Sequence, residues 1–147
     1  MTDRAQLESL RDRLVAATGP DREIDCYLHA ALVLRGPVRI IEPPTYDPRR
    51  FFCLPTAHAA MDWIGYDLLN VAPAYTASLD AAETLTPPDL ACEAITYLRS
   101  EGTWHVEWYE PGKPANEATC SPDGIRSLSI AFCLARAEHE LAKPGLA

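Results

Sequence analysis

The chain is predicted to fold as an α+β domain: a three-layer helix/antiparallel sheet/helix sandwich with a central β-hairpin. Three observations carry this prediction. The N-terminal residues have the apolar periodicity of helices, residues 92–110 contain two strand-like runs around a turn, and residues 121–143 have the composition of a buried helix. No linker, repeat or low-complexity segment divides the 147 residues. A single domain spanning residues 1–147 is therefore expected.

Two short helices are predicted at the N-terminus. Leu7, Leu10 and Leu14 share one face of the first helix, over residues 3–18. Gly19 and Pro20 end this helix, and the second begins near residue 21. Both predictions depend only on local spacing and on helix-terminating residues.

The section from residue 35 to residue 71 is expected to be rich in loops. Residues 38–41 have the composition of a short strand, whereas residues 43–48 contain three prolines and favour irregular backbone. Thr56 can cap a helical turn over residues 57–64. The pattern assigns no other element here.

A third helix is predicted between Pro73 and Pro88. Thr76 or Ser78 can cap its first turn by accepting a hydrogen bond from a free backbone amide. Pro87 and Pro88 prevent its continuation.

A β-hairpin is predicted from the runs 92–99 and 103–110. A three-residue connection ending in Gly102 places Arg99 opposite Thr103. In that register one face pairs small or aliphatic residues with tryptophans: Leu98 with Trp104, Thr96 with Val106 and Ala94 with Trp108. The other face pairs Tyr97 with His105, Ile95 with Glu107 and Glu93 with Tyr109. Because this second face is half polar, we expect it to be only partly covered.

The last helix is predicted to begin at Ser121, with Pro122 in the first helical position, and to end near Lys143. Its apolar arc is wide, which is typical of a helix buried on several sides. A narrow polar stripe remains, consisting of Arg126, Ser129, Cys133, Arg136, Glu140 and Lys143.

Charge and composition limit the possible partners and locations. The net charge of −8 opposes non-specific binding to nucleic acid, which requires a cationic surface. No apolar run reaches the roughly 20 residues of a membrane-spanning helix, and the N-terminus lacks the apolar core of a secretory signal. We therefore expect a cytoplasmic protein that binds neither membrane nor nucleic acid. The five cysteines are expected to be free thiols.

Several stretches of the chain occur together in a recognisable order. The first is an acidic and basic helical turn at residues 21–25, and the second is the Pro-Ala-Tyr-Thr helix start in residues 73–82. A Trp-containing hairpin strand at 104–108 follows, and residues 117–120 then lead to an Ala-rich helix at 130–135. Together they resemble the phage ABA sandwich domain, a family of small phage and prophage proteins. The resemblance implies a three-layer helix-sheet-helix domain and a phage setting. It implies no activity and no functional residues.

One pattern of side chains is compatible with a metal ion. Cys26, His29, Cys53 and His58 could supply a tetrahedral Cys2His2 site. Their spacing differs from that of common zinc knuckles, so the alternative is that Cys26 packs in the core and His29 pairs with Asp25. We expect neither a metal nor a cofactor.

Catalytic signatures are absent from the sequence. It contains no Gly-rich phosphate loop, no Gly-x-Ser-x-Gly and no His-Glu-x-x-His. Cys53 has a histidine five residues away, and Cys133 has Arg136 nearby, but sequence alone does not place either thiol beside a general base. A Cys/His-dependent enzyme therefore remains an alternative without a defined site.

The aromatic outer face of the hairpin is the predicted recognition surface. Its expected members, as ligand- or partner-binding residues, are Tyr75, Tyr97, Arg99, His105 and Tyr109. The alternative is that residues 35–71 shield this face.

The functional hypothesis is a non-catalytic binding protein encoded by a phage or prophage and acting in the host bacterial cytoplasm. Counter-defence is its concrete form, by sequestering a host protein or a small nucleotide signal. The other hypotheses are a homo-oligomeric structural or assembly protein of the phage and the Cys/His-dependent enzyme.

Overall fold

A computed structural model describes residues 4–44, 47–53, 66–114 and 118–143, with backbone alone for residues 91–93. Its helices are α1 (Arg4–Ala16), α2 (Arg22–His29), α3 (Leu68–Val71), α4 (Leu79–Glu83) and α5 (Leu128–Leu141). Its strands are β1 (Val38–Ile41), β2 (Arg50–Cys53), β3 (Tyr66–Asp67), β4 (Ala91–Leu98), β5 (Thr103–Tyr109) and β6 (Thr119–Cys120). They form two antiparallel sheets, ordered β1-β2-β3 and β4-β5-β6. The α+β class is confirmed.

The two N-terminal helices form where their local signals place them. Leu7, Leu10 and Leu14 are all buried on one face of α1. Asp21 caps α2, its side chain accepting hydrogen bonds from the amides of Glu23 and Ile24. A π-helical turn (Ala30–Leu34) extends α2 and ends at a left-handed residue, Arg35.

The described residues between 35 and 71 contain more strand structure than their sequence predicts. Strand β1 pairs with β2, with Val38 opposite Cys53, and β2 pairs with β3, with Phe52 opposite Asp67. These pairs join residues distant in sequence, and so local patterns do not reveal them. The helical turn predicted over residues 57–64 lies outside the described residues.

Ser78 is the N-cap of α4, as one of the two sequence alternatives predicts, and its Oγ accepts from the amide of Ala81 at 3.3 Å. Thr76 has a different role. It is buried, and its hydroxyl donates to Asp25 Oδ1 at 2.8 Å while accepting from the Asp21 amide at 2.8 Å. These bonds attach the start of α4 to α2.

The predicted hairpin exists, but its predicted register is wrong by one residue. Leu98, not Arg99, lies opposite Thr103, because the connection has four residues and ends at Gly102 with a φ of +67°. Tyr97 consequently pairs with Trp104 instead of with His105. The rest of the predicted pairing changes in the same way: Thr96 pairs with His105, Ile95 with Val106 and Ala94 with Glu107.

A bulge between Cys92 and Ala94 then shifts the register again, placing Ala91 opposite Tyr109. The predicted pair of Glu93 with Tyr109 is therefore also wrong.

The predicted start of the last helix is wrong. Helix α5 begins at Leu128, with Ser127 as N-cap. Ser121 instead binds β5: its amide donates to the Val106 carbonyl at 2.9 Å, and its Oγ accepts from the Val106 amide at 2.9 Å. A turn containing Gly124, at φ +84°, separates Ser121 from the helix.

Helix α5 is at the centre of the larger core. It packs against α1, α4 and β5, and Phe132 contacts Trp108 with ring centroids 6.2 Å apart. Much of its polar stripe is buried too, including Ser129, Cys133 and Glu140. The complete three-layer order stays a prediction. None of the helices in the described residues is long and apolar enough to cross a bilayer.

Candidate recognition surface and metal cluster

Strand β4 carries an exposed apolar surface. Among the described strands, β4 pairs only with β5 and is an edge of its sheet. Its side chains Ile95, Tyr97 and Leu98 are 45%, 50% and 40% exposed. We call these three residues the β4 surface. An edge strand with large exposed apolar side chains is a common site of strand pairing with another chain.

The β4 surface includes both faces of the sheet. Ile95 and Tyr97 pair with Val106 and Trp104 and lie on the α5 face, whereas Leu98 lies on the opposite face. The Tyr97 ring rests against the Trp104 ring, with a centroid distance of 4.7 Å. This contact orients a half-exposed tyrosine on an edge strand.

The structure separates the predicted recognition residues. Tyr75 lies in the core, only 1% exposed, and its hydroxyl is 2.7 Å from His29 Nδ1. Burial raises the pKa of Tyr75 to about 12. Arg99 is exposed in the hairpin turn. His105 and Tyr109 lie on the face opposite Tyr97.

His105 belongs to a cluster of possible metal ligands. Single ligand atoms of His105, Glu107 and Cys120 all lie within 4.8 Å of one another. His105 Nε2 is 3.3 Å from Glu107 Oε1, and His105 Nδ1 is 3.6 Å from Asp123 Oδ1. The Tyr109 hydroxyl donates to Glu107 Oε2 at 2.7 Å. His105, Glu107 and Cys120 are each partly buried.

The sequence alone does not reveal this cluster, because β6 contributes part of it. Glu107 pairs directly with Cys120 across β5 and β6, so both side chains are on one face. The alternation of His105 and Glu107 along β5 was readable. The position of Cys120 was not, because the two-residue strand β6 has no periodic signal of its own.

The metal pattern considered in the sequence is not assembled in the described residues. Cys26 and Cys53 are buried in the smaller apolar core with Phe51 and Leu68. His29 contacts Tyr75 instead of Asp25. The described residues form no metal-ligand group that includes these three side chains. His58 lies outside the described residues.

The described thiols are poorly suited to nucleophilic catalysis. Burial raises the pKa of Cys26 to about 11 and also raises the pKa of Cys53 and Cys133. At Cys120, burial and then Glu107 and Asp123 raise the thiol pKa. Since the thiolate is the reactive form, each environment disfavours it at neutral pH.

The clefts found in the described part of the chain do not place a cysteine beside a histidine. Four clefts in the described part of the chain, with volumes of about 170 to 660 Å³, are lined by no histidine or cysteine. The largest of the four is open and lies beside the loop containing Glu42, Pro48 and Arg49.

Comparison with known proteins finds no relative. No protein-family model, no curated protein and no solved structure matches this chain.

Proposed function

We propose that the protein is a non-catalytic binding protein that holds a protein partner on the β4 surface. The supporting observation is the exposure of Ile95, Tyr97 and Leu98 on an edge strand. Because about half of each side chain is already buried, complete burial of one of them contributes about 0.7–1.5 kcal/mol, half of the value for a fully exposed side chain. An extended partner segment could also pair with the backbone of the edge strand, which adds hydrogen bonds and fixes its register.

The net charge of the chain favours a protein partner over a small nucleotide signal. A nucleotide carries negative phosphates, and the chain has a net charge of −8. A protein partner with a neutral or basic surface meets no such repulsion. The resemblance to phage sandwich domains supports a phage or prophage origin, and the proposed action is counter-defence by sequestering a host protein in the bacterial cytoplasm.

Affinity capture from host lysate tests the proposal when the wild type is compared with variants of the β4 surface. Ile95→Thr and Tyr97→Thr keep strand propensity while removing apolar area. We expect each to weaken capture of the same host protein about three- to tenfold, since about 1.4 kcal/mol corresponds to tenfold. Val33→Thr is the matched control, because Val33 is 51% exposed and lies in the π-helical turn after α2, not on β4.

The outcomes separate the candidate functions. A partner captured equally by the wild type and both β4 variants contradicts the proposed surface. If no host protein is retained but the chain self-associates in sizing chromatography, and both variants abolish this, the assembly-protein hypothesis replaces the proposal. The assembly-protein hypothesis predicts self-association, because the edge strand of one chain could pair with the same strand of a second copy.

A further inference from the structure

We propose that His105, Glu107 and Cys120 form a zinc-binding site on the sheet face opposite α5, with its fourth coordination position open. Val106 and Trp108 alternate with these ligands along β5 and point into the core. The site is therefore on the other side of the sheet from the α5 packing. It involves none of the three residues of the β4 surface, so it stands or fails independently of the proposed partner.

The distance between the histidine and the carboxylate supports shared coordination. Tetrahedral bonds of about 2.0–2.1 Å from zinc to nitrogen and oxygen place two such ligand atoms about 3.3–3.4 Å apart. His105 Nε2 and Glu107 Oε1 are 3.3 Å apart. The Cys120 sulfur lies within 4.8 Å of one ligand atom of each of these two side chains.

The backbone holds these side chains in place without a metal. His105 and Glu107 are two residues apart on one strand, which puts them on the same face. Glu107 and Cys120 are direct cross-strand neighbours. The two hydrogen bonds between Ser121 and Val106, each 2.9 Å, anchor β6 immediately beside the cysteine. A site built on paired strands loses little conformational entropy when the ion binds.

Neighbouring groups are placed to orient the ligands. Tyr109 donates a hydrogen bond of 2.7 Å to Glu107 Oε2, which leaves Oε1 directed toward His105. His105 Nδ1 is buried and has no hydrogen-bond partner among the described residues. Asp123 Oδ1 is 3.6 Å away on a side chain that is 92% exposed and able to rotate. A small approach would complete the carboxylate–histidine–metal arrangement that fixes the ring of a metal-bound histidine.

The mixed donor set selects the class of metal. One imidazole, one carboxylate and one thiolate supply nitrogen, oxygen and sulfur, a combination that suits Zn²⁺. Mg²⁺ and Ca²⁺ prefer oxygen ligands alone, so a thiolate disfavours them. Three protein ligands leave one position for water or for a donor atom of a bound molecule.

Metal titration tests the site. The purified 147-residue chain is stripped of metal with a chelator and then titrated with Co²⁺ as a spectroscopic probe. We expect one ion per chain, tetrahedral absorption bands, a thiolate-to-cobalt charge-transfer band, and displacement of cobalt by Zn²⁺. Cys120→Ser should abolish the charge-transfer band. Glu107→Gln should weaken binding at least about tenfold, whereas Glu101→Gln, a carboxylate in the hairpin turn, should leave binding unchanged.

Two further variants keep the test decisive. His105→Gln should weaken binding as Glu107→Gln does. Asp123→Asn should weaken it about tenfold while leaving the unfolding temperature of the metal-free protein unchanged, because Asp123 positions the histidine and its side chain is exposed. Circular dichroism confirms that each variant is folded. Failure of the folded wild type to bind micromolar Co²⁺ or Zn²⁺, or a charge-transfer band that survives Cys120→Ser, overturns the proposal.

Discussion

Thr76 connects two parts of the chain that are far apart in sequence. Its amide and its hydroxyl both donate to Asp25 Oδ1 at 2.8 Å, across 51 residues. Arg22 approaches Asp25 Oδ2 at 3.4 Å and donates to the carbonyls of Leu69 and Pro73 at 3.0 Å each. Residues 21–25 and 73–82 thus meet in one polar network. In this structure, their residue types stabilise the junction between α2 and the segment before α4.

Removing the Thr76 hydroxyl should therefore lower the free energy of unfolding. Thr76→Val keeps the shape but leaves the Asp21 amide without its acceptor and Asp25 with one donor fewer. We expect a loss of about 1–3 kcal/mol in the free energy of unfolding, measured by urea denaturation. Thr96→Val on the exposed face of β4 is the control and should change it by less than about 0.5 kcal/mol. Equal effects of the two substitutions would contradict this role.

Glu140 should make the free energy of unfolding decrease as the pH falls into the acid range. Burial by itself raises the pKa of Glu140, but Lys143, Arg136 and Arg35 outweigh burial and lower it below the ordinary value of 4.5. A carboxyl group whose folded-state pKa is lowered stabilises the protein above its unfolded-state pKa, and this stabilisation is lost as pH falls through the folded-state value.

Unfolding midpoints measured from pH 7 down to pH 3 test the contribution of Glu140. The wild type should lose stability below about pH 4.5, and Glu140→Gln should lose less over the same window while being less stable at pH 7. Parallel pH profiles for the two proteins would show that Glu140 is not a source of the dependence.

At the scale of elements, the hairpin turn determines which side chains the protein exposes. The Leu98 carbonyl accepts from the amides of Glu101 and Gly102, at 3.1 and 2.8 Å. This closes a four-residue connection in place of the predicted three-residue one. One extra residue in the turn changes every pairing along the strands. Tyr97 therefore lies on the same face as Trp104, and His105 lies on the other face with Glu107 and Cys120.

Gly102 is required for this turn because its φ is +67°. Gly102→Ala should destabilise the protein by about 1–2 kcal/mol, since a Cβ in the left-handed region meets the backbone. Gly19→Ala is the matched control: no atom lies within 4 Å of its added Cβ, and its φ is not in the left-handed region. The measurement is the free energy of unfolding for both variants. A neutral Gly102→Ala would indicate that the turn adopts another conformation in solution.

At the scale of the whole molecule, helix α2 joins two apolar cores. Ile24 and Leu28 belong to the larger core around α5, and Cys26 belongs to the smaller core of the first sheet. Tyr27 packs against both cores and meets the Phe51 ring edge-on at a centroid distance of 6.0 Å. Shared residues of this kind couple the stability of the two cores.

We therefore predict a single cooperative unfolding transition, as expected of one domain. Leu134→Ala in the larger core and Leu68→Ala in the smaller core should each lower the free energy of unfolding by about 2–5 kcal/mol. Both variants should still unfold in one transition. Calorimetry and circular dichroism should give coincident curves for all three proteins. A separate early transition in Leu68→Ala would mean that the first sheet unfolds on its own.

The sequence by itself determined the α+β class, the approximate helices and the existence of the hairpin. These depend on neighbours within a few residues: the spacing of Leu7, Leu10 and Leu14, a cap at Thr76 or Ser78, and the glycine that closes the turn. Caps and apolar periodicity are local interactions, and so they can be read without knowing the rest of the fold.

Only the tertiary structure decided the hairpin register, the first sheet, the burial of Tyr75 and the meeting of Cys120 with His105 and Glu107. Each depends on residues far apart in sequence, and backbone pairing across strands leaves no periodic trace in a strand as short as β6. The same holds for the burial of Glu140 in the polar stripe of the last helix, where it pairs with Arg136 at 2.8 Å. A polar group can be buried when partners arrive from elsewhere in the chain, and only the assembled fold brings them there.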